Sequence, residues 1–173
     1  MDYIIKELSY AWKCQNIPQL DFFIKSLNDS IGADKIICIA AGRMGYSIRA
    51  FAMRLMHIGL NSYFIGDTNL PRISRNSVLL FASVSGETAT NLVYAQQAKN
   101  AGSIIFLITQ SPDSSLAKLA DHVLCINCTN STQIMKTLAE QYTFILYDYI
   151  IASLIELRQL TADHVQLNHS ILE

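Results

Sequence analysis

The sequence predicts an α/β fold: a five-stranded parallel sheet, doubly wound, lying between helices in a three-layer α-β-α arrangement. Short apolar runs rich in β-branched residues recur along the chain, as buried parallel strands require. Segments with helical periodicity separate these runs and stop at glycines such as Gly59 and Gly102. Because the connections are short, the alternation indicates right-handed crossovers and a parallel sheet covered on both faces.

The elements can be assigned in chain order within one predicted domain, 1–173. Two helices open the chain over residues 2–12 and 19–31, with Pro18 placed to start the second. The predicted strands cover residues 35–40, 61–66, 77–83, 103–109 and 122–127. The later helices cover residues 46–58, 87–102, a short piece of 111–121, and 132–160, before a polar tail with two histidines. The domain thus divides into N-terminal helices (1–34), a sheet core (35–130) and C-terminal helices (131–173).

The composition argues against several classes of protein. With 173 residues the chain can bury a substantial core as one domain. Only 16% of the residues are charged and 51% are hydrophobic, so buried subunit interfaces are one way to cover the apolar excess. A net charge of −1 gives no electrostatic case for a nucleic-acid or membrane partner. A small phosphorylated ligand remains compatible, because helix N-termini bind anions.

Neither a targeting segment nor a metal site is predicted. Residues 1–10 carry three charges and no long apolar core, and the apolar stretch 144–157 contains two acidic residues. Cys125 and Cys128 form a C-x-x-C, but it closes a strand-like run, and no second ligand pair stands at zinc spacing. We therefore expect core cysteines in a cytoplasmic protein, with no metal and no organic cofactor.

The stretch FASVSGETATN, residues 81–91, has more hydroxyls than a strand-to-helix connection needs. Ligands bind at the carboxyl ends of strands in such sheets, and Ser83 ends a predicted strand. Thr88 enters a helix, whose first backbone N–H groups are unpaired and attract an anion. Gly86 lets the backbone turn tightly, and the hydroxyls of Ser83, Ser85 and Thr88 can donate to phosphate oxygens. One of Ser85 and Thr88 is expected to cap the helix, and the surplus predicts an oxyanion site.

A second loop at the same edge, AAGRMG at residues 40–45, has more than one interpretation. It forms a degenerate dinucleotide fingerprint, A-x-G-x-x-G, with Asp67 after the second strand, but the first glycine is missing. Alternatively, Arg43 reaches a bound phosphate or carboxylate through a charge-assisted pair. A solvated surface arginine accounts for the sequence equally well.

These loops and the segments around them resemble the SIS-domain sugar isomerases, and within that family the 6-phospho-3-hexuloisomerases. Residues 41–59 are similar to a G-R-S-G segment followed by an R-x-F-A-M-R-L-x-H-x-G helix, and SVSGET at 83–88 matches an S-G-S-G-E-T phosphate loop. Residues 108–121 match I-T-x-x-x-x-S-x-L-A-x-x-A-D. MKTLAE at 135–140 resembles M-G-T-L-F-E, and NHSILE at 168–173 resembles R-H-A-N-L-E. The resemblance implies a flavodoxin-like SIS domain over nearly the whole chain.

The resemblance also implies an activity: isomerisation of D-arabino-3-hexulose 6-phosphate to fructose 6-phosphate through a cis-enediol, without a cofactor. It implies that Glu140 is the carbon-acid base, and burial would raise its pKa as that role requires. It implies that His57, from a neighbouring subunit, serves oxygen protons or ring opening. The alternatives are a surface Glu140 beside Lys136 and a structural His57 at a helix C-terminus.

Four positions depart from the family pattern. Met44 stands in place of the serine after the arginine, and Ser47 compensates only if its side chain turns toward the ligand. Val84 replaces a glycine, which is unfavourable if the position needs a positive φ. Lys136 and Ala139 replace glycine and phenylalanine. Two alternatives therefore stay open: an isomerase of another sugar phosphate, and a sugar-phosphate-binding or regulatory protein without this turnover.

The predicted C-terminal helix, 132–160, is apolar on more than one face. One face of the sheet cannot cover such a helix, so a subunit interface is its expected second cover. The resembling proteins are dimers or tetramers. We therefore expect a homo-oligomer, a dimer or a homotetramer, with an active site shared between subunits.

Overall fold

The sheet of the protein is five-stranded and parallel throughout, in the order β2-β1-β3-β4-β5. A computed structural model describes residues 1–30, 32, 35–169 and 171. The strands are β1 (Lys35–Ile39), β2 (Ser62–Phe64), β3 (Ser77–Ala82), β4 (Ile104–Thr109) and β5 (His122–Cys125). The predicted doubly wound α/β fold is confirmed, and the strand ends differ from the predicted ones by one or two residues.

Seven helices are described around the sheet. They are α1 (Asp2–Lys13), α2 (Ile17–Ser30), α3 (Arg43–His57), α4 (Ala89–Asn100), α5 (Ser115–Leu119), α6 (Thr137–Leu157) and α7 (Ala162–Leu167). Helix α2 begins two residues earlier than predicted because the side chain of Asn16 accepts the backbone N–H of Gln19, as an N-cap does. Its predicted end at residue 31 lies outside the described residues. Helix α7 occupies the segment predicted as a polar tail.

The prediction that the C-terminal helix starts at residue 132 is wrong, since α6 begins at Thr137. Glu7 of α1 binds the preceding segment instead. Its carboxylate accepts from Thr132 N and Oγ1 (both 2.8 Å), Ser131 Oγ (2.8 Å) and Gln133 Nε2 (2.9 Å). These bonds hold the pKa of Glu7 at about 2, with the Thr132 backbone N–H as the largest cause. Because Glu7 and residues 131–133 are far apart in the sequence, no local sequence pattern predicts this contact.

Two apolar layers hold the helices to the sheet. One face packs against α1, α2, α3 and α6, and the other packs against the smaller α4 and α5. The strands alternate between the layers with the expected period of two: Ile36 and Cys38 of β1 face the first layer, whereas Ile37 and Ile39 face the second. Burial on both faces explains why the strands read as continuous apolar runs.

The sheet order creates a crevice at the carboxyl ends of β1 and β3. The chain runs outward from β1 to β2 in one direction and from β3 to β5 in the other, so neighbouring strands β1 and β3 form the switch point. In open parallel sheets ligands bind at such a point. The loops that follow these two strands are the ones singled out in the sequence, residues 40–42 and 83–88.

The four cysteines are free, and burial raises the pKa of Cys128 to about 12 and that of Cys38 further. Over the described ranges 1–30, 32, 35–169 and 171, no group of three or more His, Cys, Asp or Glu side chains could hold a metal ion. Within the same ranges, no helix is long and apolar enough to cross a membrane.

Candidate active site at the carboxyl edge of the sheet

The loop after β3 exposes the N-terminus of α4. The Oγ of Ser83 accepts from Gly86 N (3.2 Å), and the Oγ of Ser85 accepts from Glu87 N (3.2 Å). Thr88 occupies the N-cap position, but its hydroxyl makes no capping bond, contrary to the expectation of one side-chain cap at this helix. The hydroxyl and the first N–H groups of α4 are therefore available to an anion.

Hydrogen bonds from residues 109–111, at the end of β4, fix the backbone of residues 83–88, here called the serine loop. The carbonyl oxygen of Val84 accepts from three donors: Gln110 N (3.3 Å), Thr109 Oγ1 (3.2 Å) and Ser111 Oγ (3.2 Å). Because the donors are the last residue of β4 and the two residues after it, the serine loop and the end of β4 form one bonded unit. Its shape is thus set before a ligand binds.

Two more contacts attach the loop to α5. The carboxylate of Glu87 accepts from Ser115 N at 2.7 Å, which holds the pKa of Glu87 below its usual value, and Gly86 O accepts from Leu116 N at 3.1 Å. Gly86 has φ 65°, and a Cβ at this position would collide with the side chain of Ser114. Both the conformation and the space therefore require glycine at position 86.

Val84 does not need to be a glycine. Its φ is not positive, and the residue of this loop with a positive φ is Gly86. The valine side chain is half-buried, packs against the larger apolar layer and lines the cleft described below. Valine at position 84 therefore causes no backbone strain, and its side chain forms part of the wall of the pocket.

An ion pair forms the opposite wall. Arg43 is the first residue of α3 and Glu140 lies in the first turn of α6, with Arg43 Nη1 3.1 Å from Glu140 Oε2. Arg43 Nη1 also donates to Thr137 Oγ1 at 3.3 Å. The Glu140 side chain is only 17% exposed, and its buried Oε2 has no partner in hydrogen-bond geometry. The contact is therefore an ion pair without the geometry of a hydrogen bond.

The alternative pairing of Glu140 with Lys136 is not the one observed. Lys136 occupies the N-cap position of α6, where its carbonyl oxygen accepts from Glu140 N at 3.2 Å. The carboxylate itself turns inward to Arg43. Glu140 is thus not a solvated glutamate on a polar stripe, because most of its side chain is covered.

The two walls enclose a cleft of about 490 Å³. Five of the predicted site residues line it: Arg43, Ser83, Ser85, Thr88 and Glu140. Anion donors lie on the wall formed by the serine loop, and a carboxylate lies on the facing wall. The volume falls in the range typical of small-molecule sites. The arrangement can hold a phosphorylated ligand and present its other end to a base.

Ser47 does not take the place of the missing serine. Its hydroxyl donates to Met44 O (3.0 Å) and lies 3.5 Å from Thr143 Oγ1, between α3 and α6. Met44 lines the cleft, and its Sδ accepts from Thr143 Oγ1 at 3.5 Å. The predicted compensation required Ser47 to face the ligand, and its side chain faces the helix interface instead. Ala139 is buried and does not line the cleft.

His57 lies far from the cleft of its own chain. It is the last residue of α3, fourteen positions after Arg43, which corresponds to about 20 Å along a helix. Its ring is buried and stacks on His169 at a centroid distance of 4.9 Å. His169 belongs to the C-terminal motif 168–173, of which residues 170, 172 and 173 lie outside the described residues. Within one chain, therefore, His57 does not meet Glu140.

Sequence reasoning missed one polar residue of the cleft, Asn91. It lies in the first turn of α4 and lines the cleft, yet only 2% of it is exposed and its Nδ2 has no hydrogen-bond partner. The sequence could have indicated it, because Asn91 follows Thr88 by three residues, a spacing that puts Thr88 and Asn91 on one face of the helix.

Comparison of the sequence and the structure with known proteins identifies the family of this chain. The model of the SIS domain matches residues 31–151. This chain belongs to the SIS domain family. It is similar to the 3-hexulose-6-phosphate isomerase of Mycobacterium gastri, with 37% identity over 147 residues, 80% of this chain and 74% of that protein. It is also similar to the 3-hexulose-6-phosphate isomerase of Methanocaldococcus jannaschii, with 34% identity over 140 residues, 80% of this chain and 77% of that one.

A solved structure extends the likeness to the whole fold. A protein of Methanococcus jannaschii, whose crystal structure led to an inferred function of 3-hexulose-6-phosphate isomerase, superposes with a TM-score of 0.88. The two are 30% identical, and the match covers 99% of this chain and 98% of that one. The predicted resemblance to the SIS sugar isomerases is confirmed, and so is the predicted enzyme class, a sugar-phosphate isomerase.

Proposed function

We propose that this protein interconverts D-arabino-3-hexulose 6-phosphate and fructose 6-phosphate, with Glu140 as the base. The observation that carries the proposal is that Glu140 faces the Ser83–Thr88 loop across one cleft. The names of the relatives from Mycobacterium gastri and Methanocaldococcus jannaschii support the choice of substrate. The phosphorylated substrate also supports the predicted cytoplasmic location.

The phosphate group binds against the serine loop. The hydroxyls of Ser83, Ser85 and Thr88 and the N-terminus of α4 supply donors there, and Gly86 gives the loop its tight turn. This orientation directs the sugar carbons toward the facing wall. The binding energy of the phosphate then holds carbons 2 and 3 beside the carboxylate.

Proton transfer completes the reaction. Glu140 takes the proton from carbon 2, which gives the cis-enediol, and returns a proton to carbon 3. The oxygen on carbon 3 gains a proton while the oxygen on carbon 2 loses one and becomes the new carbonyl, so atoms and charge balance without a cofactor. Arg43, 3.1 Å from the carboxylate, is placed to stabilise negative charge on the enediolate oxygen.

An assay of fructose 6-phosphate formation tests the proposal. The purified protein should convert the hexulose phosphate, and Glu140→Gln should lower kcat by about a thousandfold, the range for loss of a general base. Glu156→Gln is the matched control, since Glu156 is exposed near the other end of α6. Full activity of Glu140→Gln would remove Glu140 from the mechanism. Turnover only with other sugar phosphates would change the substrate, and melting shifts without any turnover would indicate a binding protein.

Assembly is the second part of the proposal, with the chain forming one SIS domain and its C-terminal helices an interface. Helix α6 leaves large apolar side chains exposed in the single chain, and α1 adds more beside them, since the two helices pack together. These side chains are Tyr3, Ile5, Tyr10, Trp12, Phe144, Ile145, Tyr149 and Leu157. A dimer or homotetramer would cover them.

A shared active site follows from the place of His57. Because His57 lies about 20 Å along α3 from Arg43, it can act only in the cleft of another subunit. Mixing the inactive variants Glu140→Gln and His57→Asn should then restore activity, since some clefts receive both intact residues. Activity that stays absent after subunit exchange would show that both residues serve one chain, or that His57 is structural.

A further inference from the structure

The floor of the cleft holds a polar group that the proposed mechanism does not use. Asn91 lies in the third position of α4, one turn after Thr88, and lines the cleft at the serine-loop wall. It is 98% covered by the chain, as its exposed fraction is 2%. Its Nδ2, which carries two N–H donors, is buried and has no partner.

Such a group is unfavourable for the unliganded fold. A buried amide donor without an acceptor loses its hydrogen bonds to water and gains none in return. Asparagine is also a poorer helix former than leucine, which has nearly the same shape and would fill the site without any unpaired donor. Nothing in the packing of α4 therefore requires an amide at this position. An acceptor supplied by a ligand would satisfy it.

We propose that Asn91 Nδ2 donates a hydrogen bond to the phosphate group of the substrate, an inference that rests on the proposed function. Glu140 occupies the facing wall and must lie beside the reacting carbons, so the phosphate lies on the side of Asn91. Thr88 and Asn91 are neighbours on one face of α4, at the end where the helix dipole favours an anion. Asn91 thus belongs to the phosphate cradle with Ser83, Ser85 and Thr88.

Two substitutions of similar shape test the assignment. Asn91→Leu removes the donor, and Asn91→Asp replaces it with a negatively charged acceptor. The control is Asn100→Leu, the same chemical change at the exposed end of the same helix, where Asn100 Oδ1 accepts from Gln96 Nε2. The dissociation constants of inorganic phosphate and fructose 6-phosphate are measured by calorimetry, and Tm is measured without ligand.

The expected result is a split between affinity and stability. Asn91→Leu should bind both ligands about tenfold more weakly, the size of one lost hydrogen bond to a charged group. Its unliganded Tm should be equal to or above that of the wild type, because an unpaired donor has been removed. Asn91→Asp should bind more weakly still, since its carboxylate repels the phosphate. Asn100→Leu should leave both affinities unchanged.

Four outcomes would overturn the proposal. Unchanged affinity for both ligands in Asn91→Leu would show that the amide contacts neither. Weaker binding of fructose 6-phosphate with unchanged binding of phosphate would place the contact on the sugar. If the wild type binds neither ligand, the proposed function itself fails, and this is seen before any variant is compared. If Asn91→Leu does not fold, undiminished phosphate binding by Asn91→Asp overturns the proposal in the same way.

Discussion

The wall of the cleft after β3 and the wall between α3 and α6 are held in different ways. Residues 83–88 are bonded to two neighbouring segments, with three donors on the carbonyl of Val84 and one on the carboxylate of Glu87. Across the cleft, Arg43 and Glu140 meet in one ion pair without hydrogen-bond geometry, and the arginine side chain is 62% exposed. The serine-loop wall is thus preorganised by several hydrogen bonds, whereas one ion pair of a largely exposed arginine holds the facing wall.

After the loss of Glu140 itself, removing the cation of the Arg43–Glu140 wall should have the largest effect. Arg43→Met is expected to lower kcat/KM about a hundredfold, or about 2.7 kcal/mol, because charge on the enediolate oxygen loses its partner. The measurement is steady-state isomerase kinetics. Arg49→Met is the matched control, since Arg49 lies on the same helix, is equally exposed and pairs with Asp67 at 2.7 Å. Equal losses in the two variants would contradict a special role of Arg43.

A change in the preorganised wall should appear first as a loss of stability. Gly86→Ala is expected to lower the free energy of unfolding by about 2 kcal/mol, from the positive φ and the collision with Ser114. Denaturant unfolding measures it. Gly66→Ala separates the two causes, because Gly66 also has a positive φ (96°) but its Cβ would meet nothing within 4 Å. Equal losses at both positions would mean that the contact with Ser114 adds nothing.

Restoring the family glycine in the same wall should have a smaller effect. Val84→Gly is expected to lower the free energy of unfolding by about 1 kcal/mol, since the half-buried valine loses its packing and the chain gains freedom. Phosphate affinity should stay within a factor of about two, because the bonds at position 84 are accepted by its backbone carbonyl and not by its side chain. Markedly tighter phosphate binding by Val84→Gly would show instead that valine distorts the loop.

The smallest effect at neutral pH is expected for the anchor of the segment that leads into α6. The pKa of Glu7 is lowered from 4.5 to about 2, so its carboxylate stabilises the folded state above pH 4.5 and loses this contribution as the pH falls toward 2. The difference in unfolding free energy between wild type and Glu7→Gln should therefore shrink over this window. Urea unfolding at a series of pH values measures it, and a constant difference would contradict the assignment.

The fold and one wall of the cleft could be predicted from the sequence. The strands are buried on both faces of the sheet, so nearly all their residues are apolar and each strand forms a continuous apolar run in the sequence. Ser83, Ser85 and Thr88 lie within one short loop, so their closeness in the sequence already predicts their closeness in the structure. Gly86 is likewise required by its own φ of 65°.

The other wall depends on contacts that no local pattern encodes. Arg43 and Glu140 are 97 positions apart, and their pairing exists only after α3 and α6 pack together. The start of α6 depends on Glu7, 125 positions before Thr132. The side-chain direction of Ser47 is set by a hydrogen bond within its own helix to Met44 O. Pattern reasoning therefore places these residues on helices but not on the faces they occupy.

The triple hydrogen bond on the carbonyl of Val84 has a consequence for how such a site can diversify. The bonds engage an atom that every amino acid has, so the shape of the loop does not depend on which side chain position 84 carries. That side chain points into the cleft and can change in size while the hydroxyls on either side keep their places. Under the proposed function, position 84 can therefore tune which sugar fits in the cleft while the loop that holds the phosphate keeps its shape.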